Sequence, residues 1–267
     1  MATKKLPVIA TAKEAIKLPL IHWREFFRFG CIPLGIVLLR LLILVPSTAE
    51  GMQLQPHLSL MRVILGVLLS LASAIAWFPL QIAWIRLALN GPNSVADRPI
   101  WTFGRTERRF LIGTLLLASI TLGPFALVLL LTLATQLIAP RIFLVIAAIG
   151  LLFAGLICAV RLWFILIEIA LQRYQSLRDS WDKTRGIVWR LIGVNVSAVL
   201  PFLIVAGICG YIQENVTTTY VAWVELALVG TVFTILPSTS AIGALALAYK
   251  FTTPTTPPSE TAAVATS

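Results

Sequence analysis

The chain has 267 residues, of which 58% are hydrophobic and only 12% charged, where soluble domains carry roughly a quarter charged. A mean hydropathy of +0.93 excludes an ordinary water-soluble globule. The formal charge of +10 would suit nucleic acid, but the cations are split among short segments rich in Trp and Phe, a distribution that fits membrane topology and anionic lipid headgroups instead.

Residues 1–28 are polar and mixed, without a cleavable signal pattern. A hydrocarbon core about 30 Å thick needs about 20 apolar residues per helix. Six stretches qualify: 29–46, 62–89, 110–137, 142–171, 191–212 and 220–249. Their apolar runs are continuous and lack the period-two alternation of barrel strands. The expected fold class is therefore all-α: a polytopic membrane protein with six transmembrane helices in a single integral-membrane domain over residues 1–250. Residues 251–267, FTTPTTPPSETAAVATS, are too polar and Pro/Thr-rich to pack and are expected to form a disordered tail.

Six Lys and Arg lie in residues 1–28, five in 86–109, five in 173–190 and one at Lys250. The intervening loops hold only Arg62 and Arg141. The positive-inside rule then puts both termini and the two longer loops on the cytoplasmic side, and the expected location is a bacterial inner (plasma) membrane. Cys31, Cys158 and Cys209 fall within apolar spans without paired spacing and are expected as small buried hydrophobes.

An internal repeat organises the spans. Phe29-Gly30, Ile112-Gly113 and Ile192-Gly193 open the odd-numbered ones. Leu87-Ala88-Leu89, Ile169-Ala170-Leu171 and Leu245-Ala246-Leu247 close the even-numbered ones. From opening Gly to closing Leu the separation is 59, 58 and 54 residues. Three units follow, at 13–90, 96–172 and 174–250, each an interfacial amphipathic helix plus a helical hairpin.

The interfacial segments are IHWREFFRFG at 21–30, RPIWTFGRTERRFLIG at 98–113 and SLRDSWDKTRGIVWRLIG at 176–193. In the third, Leu177, Trp181, Thr184 and Val188 share a helical face opposite Arg178, Asp182 and Arg185. Asp182 is spaced to pair with both arginines, and Gly186 marks the bend into the next span. Trp and basic residues on an amphipathic helix suit the headgroup plane. The expected contacts with lipid or a partner are Trp23, Arg24 and Arg28 in the first segment, then Trp101, Arg105, Arg108 and Arg109. In the third they are Trp181, Arg185, Trp189 and Arg190.

The stretch from Arg161 through Glu168 into SLRDSWDKTRGIVWRLIG resembles the integral-membrane domain that accompanies some bacterial glycerophosphoryl diester phosphodiesterases, and similar bacterial inner-membrane proteins. The matching positions are Arg161, Ser180-Trp181, Thr184-Arg185-Gly186 and Trp189, within residues 155–205. Leu166 and Ile167 stand where that family often has a proline. The phosphodiesterase catalytic domain is not expected within these residues, which hold two histidines and no soluble region of that size. The resemblance implies a membrane fold and no activity.

Charges inside the membrane are costly and often functional. Arg161 is the deepest, at the repeat position of Pro79 and Pro237, and Glu168 aligns with Arg86. An Arg86–Glu168 pair and an Arg40–Glu225 pair are expected. Snorkelling and helix-locking ion pairs explain all five residues without transport. Pro33, Pro124 and Pro201 favour broken or kinked odd spans. His22 and His57, the latter in a short outer loop, have no metal-ligand spacing, and no phosphate-binding or nucleophile motif occurs.

The sequence thus points to a non-enzymatic, multi-pass membrane protein without metal or cofactor. Its expected partners are the lipid bilayer, anionic lipids in particular, or another membrane protein, and its expected role is membrane or envelope organisation. The alternative is a transporter of a small anionic solute or lipid with its site around Arg161.

Overall fold

The computed structural model describes residues 6–44, 56–99, 103–134, 138–173, 176–215 and 220–253. Among them the chain is helical, with no strand. The helices are α1 (Val8–Ile21), α2 (Trp23–Leu44), α3 (Pro56–Asn90), α4 (Arg105–Ala134), α5 (Ile138–Ala170), α6 (Leu177–Lys183), α7 (Val188–Asn215) and α8 (Tyr220–Thr252), with a 3-10 turn at Pro92–Ser94.

Among the described residues four segments are long and apolar enough to cross a membrane: Ile64–Asn90, Arg105–Val128, Phe143–Ala170 and Val188–Ile212. Only 11% of the most apolar window of α4 is buried within the protein, and Leu115, Leu127, Ile146, Phe153 and Leu203 stand exposed on the outer faces. Each such side chain would forgo about 1.5–3 kcal/mol if left in water. A belt of them suits a lipid surrounding.

The helices pack chiefly as α2 with α3, α4 with α5, and α7 with α8. α3, α5 and α8 also touch one another, so the second helix of each pair lines the centre. The core is built from their C-terminal halves: Ile82, Trp84 and Ile85 from α3, Phe164 and Ile167 from α5, and Ile242 and Leu245 from α8. The segments preceding the pairs complete the packing. α1 lies on α7 and α8, the 3-10 turn on α3, and α6 on α5.

Local chemistry accounts for these seats. α1 buries Thr11, Ala12, Ala15 and Pro19, a stripe of modest side chains at helical spacing that suits close approach to its neighbours. Between α4 and α5, a Cβ added at Gly155 would lie 2.5 Å from the Thr121 carbonyl oxygen, so only glycine permits that crossing. The turns use Gly91 and Gly186 at φ 80 and 81, a conformation in which a Cβ is strained. Gly186 thus marks the bend into α7, as its sequence context predicts.

Several expectations need correction. The segment at 21–30 is not a separate interfacial helix: α1 ends at Ile21 and Trp23–Arg28 form the first turns of α2. Likewise Arg105–Ile112 belong to the start of α4. Pro33, Pro124 and Pro201 each sit within one continuous helix rather than a broken one. Cys31 is exposed and Cys158 and Cys209 are half-buried, not core residues, which suits sulfhydryls on helix faces turned to lipid. His57 lies in the first turn of α3 rather than in a loop. The tail from residue 254 and Trp101 lie outside the described residues.

Gly155→Leu should lower the thermal midpoint of the detergent-solubilised protein, with a loss of about 1–3 kcal/mol from overpacking. Gly150→Ala, where an added Cβ meets nothing within 4 Å, should leave the midpoint unchanged in the same thermal scan.

Candidate functional site

The C-terminal ends of α3, α5 and α8 meet in a polar cluster. Glu168, two residues before the end of α5, is only 4% exposed. A carboxylate buried to that extent costs several kcal/mol unless paired and hydrogen-bonded. Tyr249 of α8 donates its hydroxyl to Glu168 Oε1, and Lys183 of α6 brings its Nζ to 3.4 Å from the same oxygen. Tyr249 also packs edge-on against Phe164, with centroids 5.2 Å apart.

Arg86 reaches the same helix end but does another job. Its Nε donates to the Ala170 carbonyl at 2.8 Å, satisfying one of the terminal carbonyls of α5 and placing positive charge at the negative end of its dipole. In place of the expected Arg86–Glu168 pair, the cluster divides the work: Arg86 holds the backbone of α5, while Tyr249 and Lys183 hold the carboxylate. A guanidinium on a rigid helix can serve a carbonyl where it does not reach the neighbouring acid.

Arg161 lies against α6. Its guanidinium stacks over the Trp181 ring at 4.2 Å, and Ser180 donates its hydroxyl to the Arg161 carbonyl at 2.7 Å. Arg161 Nε is buried without a hydrogen-bond partner. Ser180 and Thr184 form the fully buried face of α6, while Trp181 keeps 38% of its surface exposed. The predicted apolar face therefore holds at Thr184 and Val188 but is rotated towards Ser180. Asp182 is exposed and makes neither of its expected arginine pairs. Asp179 carries the local work: with Ser176 it forms a reciprocal capping box that starts α6. Hydrogen bonds from Ser176 hold the Asp179 carboxyl below its ordinary 3.8. That support for α6 is present above the ordinary value and is lost as pH falls through the depressed one.

The α3–α4 connection is a second polar centre. Arg28 donates to the carbonyls of Ala96 and Arg98 at 2.8 and 2.7 Å, so it clamps a loop rather than presenting itself wholly to lipid. Arg98 pairs with Glu107, whose other oxygen accepts from the Gly104 amide at 2.9 Å. Burial pushes the Arg98 guanidinium down from its ordinary value and Arg86 adds to this, while Glu107 opposes both. Neither Arg98 nor Glu107 stands out in the sequence as a pair.

The remaining predicted contacts are placed on the surface. Trp23 and Trp189 are 54% and 72% exposed, Arg24 covers the Trp23 ring at 5.5 Å, Arg105, Arg108, Arg109 and Arg185 are exposed, and Arg190 is half-buried. Arg105 and Arg109 border a cleft of about 750 Å³ between α4 and α5, together with Thr106, Glu168, Gln172 and Arg173. Gln172 donates to Thr106 Oγ1 at 3.0 Å across it. Arg173, which follows α5, is a residue the sequence pattern did not single out. Arg40 lies in α2 and Glu225 in α8; their expected pairing involves side chains outside those described.

No protein-family model, curated protein or solved structure matches this chain.

Trp181→Ala should uncover Arg161 and loosen α6, costing about 0.5–2 kcal/mol through the lost cation–π contact alone. Hydrogen exchange should then quicken at the Ser180–Thr184 amides, with Trp181→Phe close to wild type. Unchanged exchange in Trp181→Ala would show that the stack does not seat the helix.

Proposed function

We propose that the chain is a non-enzymatic, multi-pass protein of the bacterial inner membrane that organises its surroundings by binding anionic lipid at one basic face. The observation that carries this reading is the coincidence of an exposed apolar belt with exposed arginines at the helix ends, Arg105, Arg108 and Arg109 foremost. In this reading α2 and α8 join the four apolar helices to make six spans. The units are three repeats, each a short preceding segment and a hairpin. The seating of those segments on α8, α3 and α5 in turn supports that arrangement. The charge bias puts both termini in the cytoplasm.

The geometry around Arg161 favours this reading over transport. A mid-span arginine that served a solute would face a path, whereas this one is covered by Trp181. Glu168 is likewise engaged by Tyr249 and Lys183. The resemblance to the membrane domain associated with phosphodiesterases adds a fold without chemistry.

Two measurements test the proposal together. With the native cysteines replaced, single cysteines at Ala96, Arg178 and Thr253 should react with an impermeant maleimide only from the cytoplasmic side. Lipid co-purified with the protein should be enriched in anionic species over the bulk membrane, and the enrichment should fall as salt rises. Labelling from opposite sides, or co-purified lipid of bulk composition, would reject it; a stoichiometric protein partner in place of lipid would move the role to protein assembly.

A further inference from the structure

The cleft between α4 and α5 differs from the rest of the basic face in having a shape. Arg105 and Arg109 stand one turn apart on α4, and Arg173 faces them from the end of α5. Three guanidinium groups around a cleft of about 750 Å³ supply forked donors that match a phosphate's oxygens. The one carboxylate in the lining, Glu168, is already engaged by Lys183 and Tyr249. Its charge is thereby offset.

The cleft does not end at the polar layer. A shallow groove of about 40 Å³ continues along the α4–α5 seam, lined by Leu116, Leu117, Leu162 and Leu166. Gly113 and Ile165 line both spaces. Gly113 keeps them joined, since a Cβ there would lie 3.0 Å from Leu166 Cδ2 and 3.2 Å from Ile169 Cδ1. A basic mouth leading into an apolar groove on a membrane-facing seam is complementary to one kind of molecule, an amphiphile with an anionic head.

We propose that this cleft is a discrete site for a single anionic phospholipid, with the phosphate between Arg105, Arg109 and Arg173 and one acyl chain along the Leu116–Leu162 groove. The site rests on the lipid-binding reading above and sharpens it from a diffuse basic face to one defined seat. A free phosphate would use the same arginines but has no use for the groove, so the site is assigned to lipid.

Native mass spectrometry tests this, with protein reconstituted in bilayers of equal amounts of phosphatidylethanolamine and phosphatidylglycerol. Wild type should retain one phosphatidylglycerol at activation energies that strip other lipids. In Arg105→Gln/Arg109→Gln/Arg173→Gln its occupancy should fall about tenfold or more. A control with equal charge removed elsewhere, at the exposed positions Lys13→Gln/Lys17→Gln/Arg178→Gln, should keep it. Equal loss in both triple variants would overturn the discrete site and leave diffuse binding standing. Retention of phosphatidylethanolamine and phosphatidylglycerol alike by wild type would overturn both. Displacement of the retained lipid by millimolar inorganic phosphate would assign the cleft to a soluble anion. Should the triple variant fail to fold, Arg173→Gln alone and Gly113→Val, which blocks the groove while sparing every arginine, should each lower occupancy; full occupancy in both would overturn the assignment.

Discussion

The burial of one carboxylate organises the basic end of this protein. Glu168 lies where apolar helices converge, and an ion there is tolerated only if other groups are brought to it. Tyr249 comes from the last helix, Lys183 from the short α6, and Arg86 from α3 reaches the carbonyl of Ala170 two residues on. Each hairpin contributes to this knot. Lipid-facing helices gain little from apolar contact with one another, because lipid tails are equally apolar, so such polar ties carry unusual weight in fixing which helix ends meet.

The position of α6 follows from the same demand. Its seven residues are too few to form a stable helix alone, and it is held by its capping box, by Ser180 on the Arg161 carbonyl and by the Arg161–Trp181 stack. This seating delivers Lys183 to Glu168. Arg161 therefore acts as a support for a surface helix, and the depth that makes it look like a transport residue reflects how far α6 is tucked along α5.

Hydropathy made the helical class and the four helices long and apolar enough to cross a membrane legible, because bilayer thickness acts on residue type alone. The capping box of Ser176 and Asp179 that starts α6 lay outside the hydropathy and charge pattern, although its spacing carries the signal. The partners of Glu168 were not legible. Tyr249 is 81 residues away near the end of α8, where a tyrosine beside an apolar run ordinarily marks an interface, and nothing local distinguishes one that reaches inward. Arg28 illustrates the converse: beside Phe27 and Phe29 it has the pattern of a lipid anchor, yet its guanidinium is turned to the carbonyls of Ala96 and Arg98. Residue type sets the depth of a side chain; only tertiary geometry sets its partner.

The knot is tested most directly by a double-mutant cycle on Glu168→Met and Tyr249→Phe, each of which removes the hydrogen bond between them, read as unfolding free energy in lipid bicelles. Because a hydroxyl donating to a buried carboxylate is shared by the two residues, the single changes should not add. The coupling should be about 1 kcal/mol or more, at the upper end for interhelical hydrogen bonds in membranes. Additive effects within error would mean that Glu168 and Tyr249 do not hold the hairpins together.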